Sequence, residues 1–252
     1  MIALTHLPSP NIDSGQRTHV DRTPLDYPLA LHQHAHYRAA LLESRVDVRI
    51  LDVNGAFPDG VFIEDTAIVL DEIAVLASMG AEARRGEVAG IERELAKYRE
   101  VARVTPPAKI EGGDVLRVGR MLLVGESSRT DMNGIRALEA IVGRYGYQVR
   151  RVSVRCCLHL KTACTALPDG RLLINPAWLD VEELSGFEHI AVPDVEPWGA
   201  NVLCIVDTVC AAAEHAVNTE LLRSRGYSVR TIPLSEFAKA EGGVTCLSLL
   251  IS

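Results

Sequence analysis

The strongest constraint on the fold is one short strand that returns five times along the chain. It is read as "VDVRIL" from Val46, "VARVTP" from Val101, "YQVRRVSV" from Tyr147, "HIAVP" from His189 and "YSVRTIPL" from Tyr227, at intervals of 55, 46, 42 and 38 residues. After each of the first four comes a pair of apolar runs around a turn: "VFIEDTAIVLDEIAVLAS", "GDVLRVGRMLLVGES", "LHLKTACTALPDGRLLIN" and "NVLCIVDTVCAAA". Asp71-Glu72, Gly119-Arg120 and Pro168-Asp169-Gly170 stand where tight turns belong, because these residue types adopt turn dihedrals at little cost. A fifth hairpin forms only if the C-terminal "VTCLSLLIS" pairs with the N-terminal "IALTHL". Amphipathic helices fit between hairpin and strand. "GEVAGIERELAKYRE" puts Val88, Ile91, Leu95 and Tyr98 on one face, "TDMNGIRALEAIVGRYG" has Thr130 or Asp131 as N-cap and Gly146 at its end, "NTELLRSRG" ends similarly at Gly226, and "YPLALHQHAHYRAALLES" supplies a first long helix. A unit of two strands, a helix and a strand at a near-fixed period predicts radial repetition about an axis, closed by the two termini. An open doubly wound sheet would need a Gly-rich phosphate turn, which is missing, and would leave the hairpins unexplained.

At 252 residues the length allows one large domain or two small ones, and the expectation adopted is a single domain over residues 1–252, long enough to bury a sizeable core. The formal net charge of −7 and the lack of a Lys/Arg block argue against a nucleic-acid partner and suit a cationic small ligand. "MIALTHLPSP" lacks a basic leader followed by a long apolar stretch, and no apolar run approaches the ~18 residues of a membrane span, so the expectation is a cytoplasmic protein without membrane contact. Six cysteines in that compartment should remain thiols. There is no CxxC pair, and Cys157 with His159 lacks a second pair of ligands, so no metal and no cofactor are expected.

Read alone, the chemically interesting residues have bland explanations. Cys246, behind Gly242-Gly243, would pack as a small hydrophobe in a last strand. His159 would be a satisfied core histidine at a strand position, and Asp59, Glu64 and Asp65 a turn residue with a solvated acidic pair. His32, His34 and His36 would alternate on a helix surface, His189 and His215 lie in no motif, and Glu241 would be a surface residue.

Four segments taken in order change that weighting. "FPDGVFIEDTAIV", "EGGDVL" with "GESSRT", "LHLKT" and the terminal "GGVTCLSL" resemble the dimethylarginine dimethylaminohydrolases of the guanidine-modifying (pentein) superfamily over nearly the whole chain. The resemblance implies a five-bladed α/β propeller of pseudo-repeated ββαβ units with its active site at the hub. It assigns Cys246 as covalent nucleophile, His159 as the acid and base that serves the leaving amine and then water, and Glu111 as the carboxylate that orients His159. It assigns Asp59 and Asp65, with Glu64 beside them, to the guanidinium, and Arg84 and Arg129 to the α-carboxylate, which suits arginine's planar fork. Arg85 is an alternative to Arg84. The implied reaction is hydrolysis of asymmetric dimethylarginine and monomethylarginine to citrulline and the methylated amine, through an S-alkylthiouronium on Cys246. Related arginine deiminases carry Asp two residues after the histidine. Here Lys161 stands there, which favours a methylated substrate over arginine. Family members commonly place a leucine in the lid loop after the first strand, where this chain has Gln16-Arg17. The alternatives are an arginine deiminase, a hydrolase of another Nω-substituted arginine, and a non-catalytic propeller binding protein. A small-molecule substrate is the expected partner, and exposed helices on such a rim commonly support a homodimer.

Overall fold

The computed structural model describes residues 1–252 and resolves the repeat into five three-stranded sheets. They are β15 (Leu249–Ile251) with β1 (Ile2–His6) and β2 (Asp47–Leu51); β3 (Ala67–Val69), β4 (Ile73–Leu76) and β5 (Glu100–Arg103); β6 (Val115–Val118), β7 (Met121–Glu126) and β8 (Gln148–Ser153); β9 (Cys164–Ala166), β10 (Leu172–Ile174) and β11 (His189–Ala191); and β12 (Val202–Ile205), β13 (Thr208–Ala212) and β14 (Ser228–Ile232). Within every sheet the first strand pairs antiparallel with the second, and the second pairs parallel with the third. In four sheets a hairpin turn serves the first pairing, and in the fifth that pairing joins the two ends of the chain; the second pairing needs a longer crossover. Helices α1 (Tyr27–Glu43), α2 (Val88–Leu95), α3 (Met132–Val142) and α5 (Ala216–Ser224) supply four crossovers, while the fourth sheet uses a single 3-10 turn, Val181–Leu184. Two further helical turns are α4 (Leu160–Ala163) and α6 (Ser235–Ala238).

The expected closure is present. Ile2, Ala3 and Leu4 pair with Ile251, Leu250 and Leu249, so the last strand completes the sheet that the first began. Side chains reinforce the seam. Leu249 and Ile251 share an apolar cluster with Leu4, Ile63, Leu76, Ile91 and Leu95, and the buried Tyr37 of α1 shares a hydrogen bond of 2.7 Å with Ser248. Each such aliphatic or aromatic group contributes about 1.5–3 kcal/mol on full burial. The first strands β3, β6, β9, β12 and β15 all line one central cavity of about 380 Å³, which places the axis of the ring between them.

Local chemistry explains most element ends. Asp131 caps α3 by accepting from Gly134 N, and Asp26 caps α1 by accepting from Leu29 N. Gly119, Gly170, Gly146 and Gly226 take positive φ at the expected turns and helix ends. Ile91 and Leu95 of α2 are fully buried, with Val88 and Tyr98 packed beside them, as the helical spacing requires.

Three readings of the sequence need correction. The stretches "VFIED" and "LHLKT" precede the strands instead of opening them: Ile63–Thr66 is a 3-10 turn, and His159 is the N-cap residue of α4. Their polar side chains face the hub, which breaks the pleat that the apolar neighbours suggested. His34 is fully buried against the rings of Tyr37 and Phe237, neither ring nitrogen has a partner, and burial drives its pKa down to about 3. Helix α1 is covered by α6 as well as by β2 and β14, so its alternating histidines do not share one solvent face. No helix is long and apolar enough to cross a membrane.

Val206, in the β12–β13 turn, has φ of 54° and is 71% exposed. A β-branched residue there pays about 1–2 kcal/mol of strain that asparagine largely avoids. Val206→Asn should therefore stabilise the fold by about 1 kcal/mol and raise the calorimetric Tm by roughly 2–4 °C; an unchanged or lower Tm contradicts this.

Candidate active site

Most of the chemically distinctive side chains come from one place in the repeat, the few residues immediately before the first strand of a sheet, while Arg84 and Arg129 follow the second strands β4 and β7. Residues 59–66 precede β3, residues 111–114 precede β6, residues 159–163 precede β9, Asn201 precedes β12, and residues 241–246 precede β15. Five-fold repetition thus gathers them at one end of the axis.

Each segment is fixed by backbone contacts. The turn carrying Cys246 is held by Cys246 N donating to Gly243 O at 3.2 Å and by Glu64 N donating to Cys246 O at 3.2 Å. Asn201 Oδ1 accepts from Thr245 N at 3.1 Å, and a Cβ on Gly243 would lie 2.3 Å from that oxygen, so the glycine is a packing requirement. Gly243 N also donates to Cys246 Sγ at 3.4 Å. Gly113 is as constrained: its Cβ would fall 2.6 Å from Asp65 Oδ1 and 2.7 Å from His159 Nδ1. The "EGGD" turn therefore lets backbone pass between an acid and an imidazole. Asp114 completes it by accepting from Leu160 N at 2.8 Å and Ser127 Oγ at 2.7 Å, which aims the start of α4 and with it His159.

Cys246, His159, Asp59, Asp65, Arg84 and Arg129 line one narrow chamber of about 20 Å³, together with Gln16 from the loop after β1. Glu111 stands behind it. His159 Nε2 and Glu111 Oε2 are 2.8 Å apart, and His159 Nδ1 lies 3.7 Å from Asp65 Oδ1. Glu111 Oε1 accepts from Gly80 N at 2.9 Å and contacts Arg129 at 3.4 Å. Of the two adjacent arginines, Arg84 is buried in the chamber while the Arg85 side chain is 48% exposed. Arg84 is heavily engaged, giving NH1 to Asp65 at 2.6 Å and Nε and NH2 to Glu87 at 3.0 and 2.9 Å. Arg129 is freer.

Glu64 does not join this chamber. Its carboxylate is held by Lys161 at 2.5 Å and Thr245 Oγ1 at 2.7 Å, and it lines the central cavity instead. Asp59 does line the chamber, yet both its oxygens accept from Gln16 N, at 3.2 and 3.1 Å. Glu241 is not a surface residue: it is buried, with φ of 61°, and its two oxygens accept from Thr18 N at 2.7 Å and His19 N at 2.5 Å. Sequence reasoning missed Glu87, Asp114 and Glu241. Asp114 was signalled by its place in "EGGD" and Glu87 by standing three residues after Arg84, a helical pairing distance.

Burial and charge set the protonation states. Burial lowers the His159 pKa, but Asp65, Asp114 and the hydrogen bond to Glu111 outweigh it, so the imidazolium is favoured. Burial raises Glu111, and the bond to His159 with the charges of Arg84 and Arg129 overrides that and holds it low. Burial, then the charges of Glu64 and Asp65, push the Cys246 thiol up to about 12. The resting site is a neutral thiol beside an imidazolium–carboxylate pair. One atom each of Asp65, Glu111 and His159 falls within 4.8 Å of the others, a spacing that also suits a metal ion. Arg84 on Asp65 and the Glu111–His159 bond already supply the compensating charge, so this donor set is a poor fit to a cation.

A half-buried cysteine, an imidazole–carboxylate pair and further carboxylates facing one chamber on a five-sheet propeller define an amidine hydrolase of the α/β-propeller class. The family model described as "N,N dimethylarginine dimethylhydrolase, eukaryotic" matches residues 14–161, over half of the chain. The N(G),N(G)-dimethylarginine dimethylaminohydrolase of Streptomyces coelicolor is 38% identical over 98% of this chain and 95% of its own. Among solved structures, a cysteine-to-serine variant of the Pseudomonas aeruginosa enzyme complexed with citrulline superposes with a TM-score of 0.92 at 32% identity, covering 98% of this chain and 97% of that one. A histidine-to-glycine dimethylarginine dimethylaminohydrolase, as an adduct with S-methyl-L-thiocitrulline, matches with the same TM-score and identity over 98% of both chains. The chain belongs to the dimethylarginine dimethylaminohydrolase family.

Two consequences are measurable. A thiol held up to about 12 should be carbamidomethylated by iodoacetamide at a rate that climbs about tenfold per pH unit from pH 7 to 10, followed at the Cys246 peptide by mass spectrometry; a plateau reached by pH 8 contradicts it. The raised His159 pKa contributes stability that is fully present below its ordinary 6.5 and lost as pH rises through the raised value. The lowered Glu111 pKa contributes stability present above its ordinary 4.5 and lost as pH falls. Removing one partner of such a buried pair costs about 3–5 kcal/mol. In urea melts, the penalty of Glu111→Gln should be largest between these two ordinary values and should shrink on the alkaline side. A penalty that grows with alkalinity would contradict the assignment.

Proposed function

We propose that the chain hydrolyses asymmetric dimethylarginine and monomethylarginine to citrulline and dimethylamine or methylamine, acting as one catalytic domain with Cys246 as nucleophile. The observation that carries this reading is the common chamber of Cys246 and His159, with Glu111 bonded to the far side of the imidazole and Asp65 on the near side. The citrulline complex and the thiocitrulline adduct of the relatives support the product and the covalent chemistry.

The electrostatics give an order of events. At rest the thiol keeps its proton, because burial and two carboxylates oppose a third anion. A guanidinium entering the chamber donates to Asp65 and brings a positive charge beside the sulfur, which lowers the thiol pKa. The proton leaves to solvent and the thiolate attacks the guanidinium carbon, forming a C–S bond and a tetrahedral centre. Imidazolium His159 gives its proton to the methylated nitrogen, the C–N bond breaks and the neutral amine departs. The S-alkylthiouronium remains. Neutral His159, steadied by Glu111, then takes a proton from water as the water oxygen bonds to the same carbon. As the C–S bond breaks, the hydroxyl proton passes to the departing sulfur, so citrulline is released and the neutral Cys246 thiol beside imidazolium His159 is restored.

Arg129 suits the α-carboxylate, being the chamber arginine with donors to spare. Arg84 serves chiefly to orient Asp65, and Glu64 backs the Cys246 turn through Thr245 and Lys161 instead of meeting the substrate. Six free thiols support a reducing, cytoplasmic setting. Leu31 and Leu42, exposed and three turns apart on α1, support a rim contact between two copies. A non-catalytic propeller has no use for an ionisable cluster desolvated around a cysteine.

Purified protein should release citrulline with dimethylamine from asymmetric dimethylarginine and with methylamine from monomethylarginine, with arginine at least about tenfold poorer in kcat/KM. Cys246→Ser should lower kcat by at least about a thousandfold while substrate binding survives. Ammonia release from arginine as the dominant activity would make the protein a deiminase, and a serine variant at near wild-type rate would remove Cys246 as nucleophile.

A further inference from the structure

The loop after β1 is folded on itself. Arg17 binds Asp13 at 2.8 Å and Thr23 O at 2.8 Å, Arg22 reaches Gly15 O at 2.9 Å, and Asp13 also accepts from Leu25 N at 3.1 Å. This piece is fastened to the hub by two buried carboxylates. Asp59 takes the N–H of Gln16, and Glu241 takes those of Thr18 and His19. Gln16 lies over the charged chamber of about 20 Å³. Val20, on the other side of the Glu241 contacts, lies over a second cavity of about 160 Å³ whose walls include Trp198, Ala212 and Ala238. Cys246, Gly242 and Glu241 itself border both cavities.

We infer that Glu241 is a positioning residue for the reaction: its carboxylate pins the Thr18–His19 backbone so that Gln16 and Val20 roof the two cavities that meet at Cys246. Three observations converge on it. The side chain is buried and accepts two backbone N–H groups, the charge-assisted arrangement that is strong for a carboxylate. Its φ of 61° lies in the left-handed region, which disfavours any residue with a Cβ. Glycine would relieve that strain, as it does at many such positions, and the two following residues are glycines; the strain is retained where the carboxylate is needed. Opening the chamber breaks the Glu241 and Asp59 contacts together, while a bound guanidinium compound competes with Gln16 N for Asp59. Glu241 is then the fastening that holds the roof when substrate occupies Asp59. Water exclusion from the thiolate depends on it.

This rests on the preceding reading only in taking Cys246 as the reacting thiol, and the test separates the two. Glu241→Gly removes the clasp and relieves the backbone, so its Tm should equal or exceed that of the parent. Without substrate, iodoacetamide modification of Cys246 and tryptic cleavage after Arg22 should each accelerate more than about tenfold, the factor set by losing one charge-assisted hydrogen bond. Glu241→Gln, which keeps the volume and the strain but replaces one acceptor by a donor, should give an intermediate acceleration. With methylated arginine, the glycine variant should lose at least about tenfold in kcat/KM, mainly through KM. Modification and cleavage rates within twofold of the parent in both variants overturn the clasp. If the parent itself makes no citrulline, the proposed function fails, while the modification and cleavage rates still decide the role of Glu241.

Discussion

The pairing of β15 with β1 is the contact on which the rest depends. A propeller blade that borrows one strand from each end of the chain cannot form until the chain has come full circle, and only three residue pairs accomplish it. That contact also sets the position of Cys246, because the cysteine lies three residues before β15 and is aimed by where that strand docks. The apolar cluster of Leu249 and Ile251 with Leu4, Ile63 and Leu76 joins the closing strand to the neighbouring sheet that carries Asp59 and Asp65. Closure of the fold and assembly of the site are therefore one event. The loop-closure entropy of such a distant pairing is recovered only when both are complete.

The hub is built by desolvating charge, and its balance has a sign. Asp59, Glu64, Asp65, Glu87, Glu111 and Asp114 are buried around Cys246, against Arg84, Arg129, Lys161 and His159. Six potential anions meet four potential cations, leaving a negative balance that suits a cationic ligand. Burial raises the pKa of Asp59, Glu64, Glu87 and Asp114, so the site holds its carboxylates at a cost in folding free energy that a cationic ligand returns. Burial first, and then the charges of Glu64 and Asp65, keep the Cys246 thiol protonated at rest.

The sequence made the fold legible because repetition is a long-range signal that survives errors at single elements. Each of the five recurring strands lies where its motif stands, and the turn glycines adopt the positive φ that their types suggested. Boundaries failed where a polar residue faces the hub, as in "LHLKT", since a pattern of alternation cannot tell an inward ion from an outward one. Of the eight residues put forward for chemistry, six line one chamber, Glu111 adjoins it through His159, and Glu64 turns to Lys161. Glu241 and His34 escaped for a common reason: their burial comes from elements distant in sequence, residues 18–19 over one and α6 over the other.

Lys161 shows how one substitution acts through a partner. A carboxylate at that position would sit beside Glu64, and two buried anions with no intervening cation would leave one of them protonated or drawn to the substrate. The lysine at 2.5 Å from Glu64 satisfies that acid internally, and Thr245 takes its other oxygen. Both side chains are thereby committed to the central cavity, on the opposite side of the Cys246 turn from Asp65. The chamber keeps Asp59 and Asp65 as its acceptors and gains no further negative group toward the end of the guanidinium. A terminal nitrogen carrying two methyl groups offers no N–H to be satisfied there, whereas an unmodified one would leave its donors without partners. On the proposed function, selectivity for the alkylated substrate follows from an acceptor that the Lys161–Glu64 pair removes, with no dedicated contact to the methyl groups required.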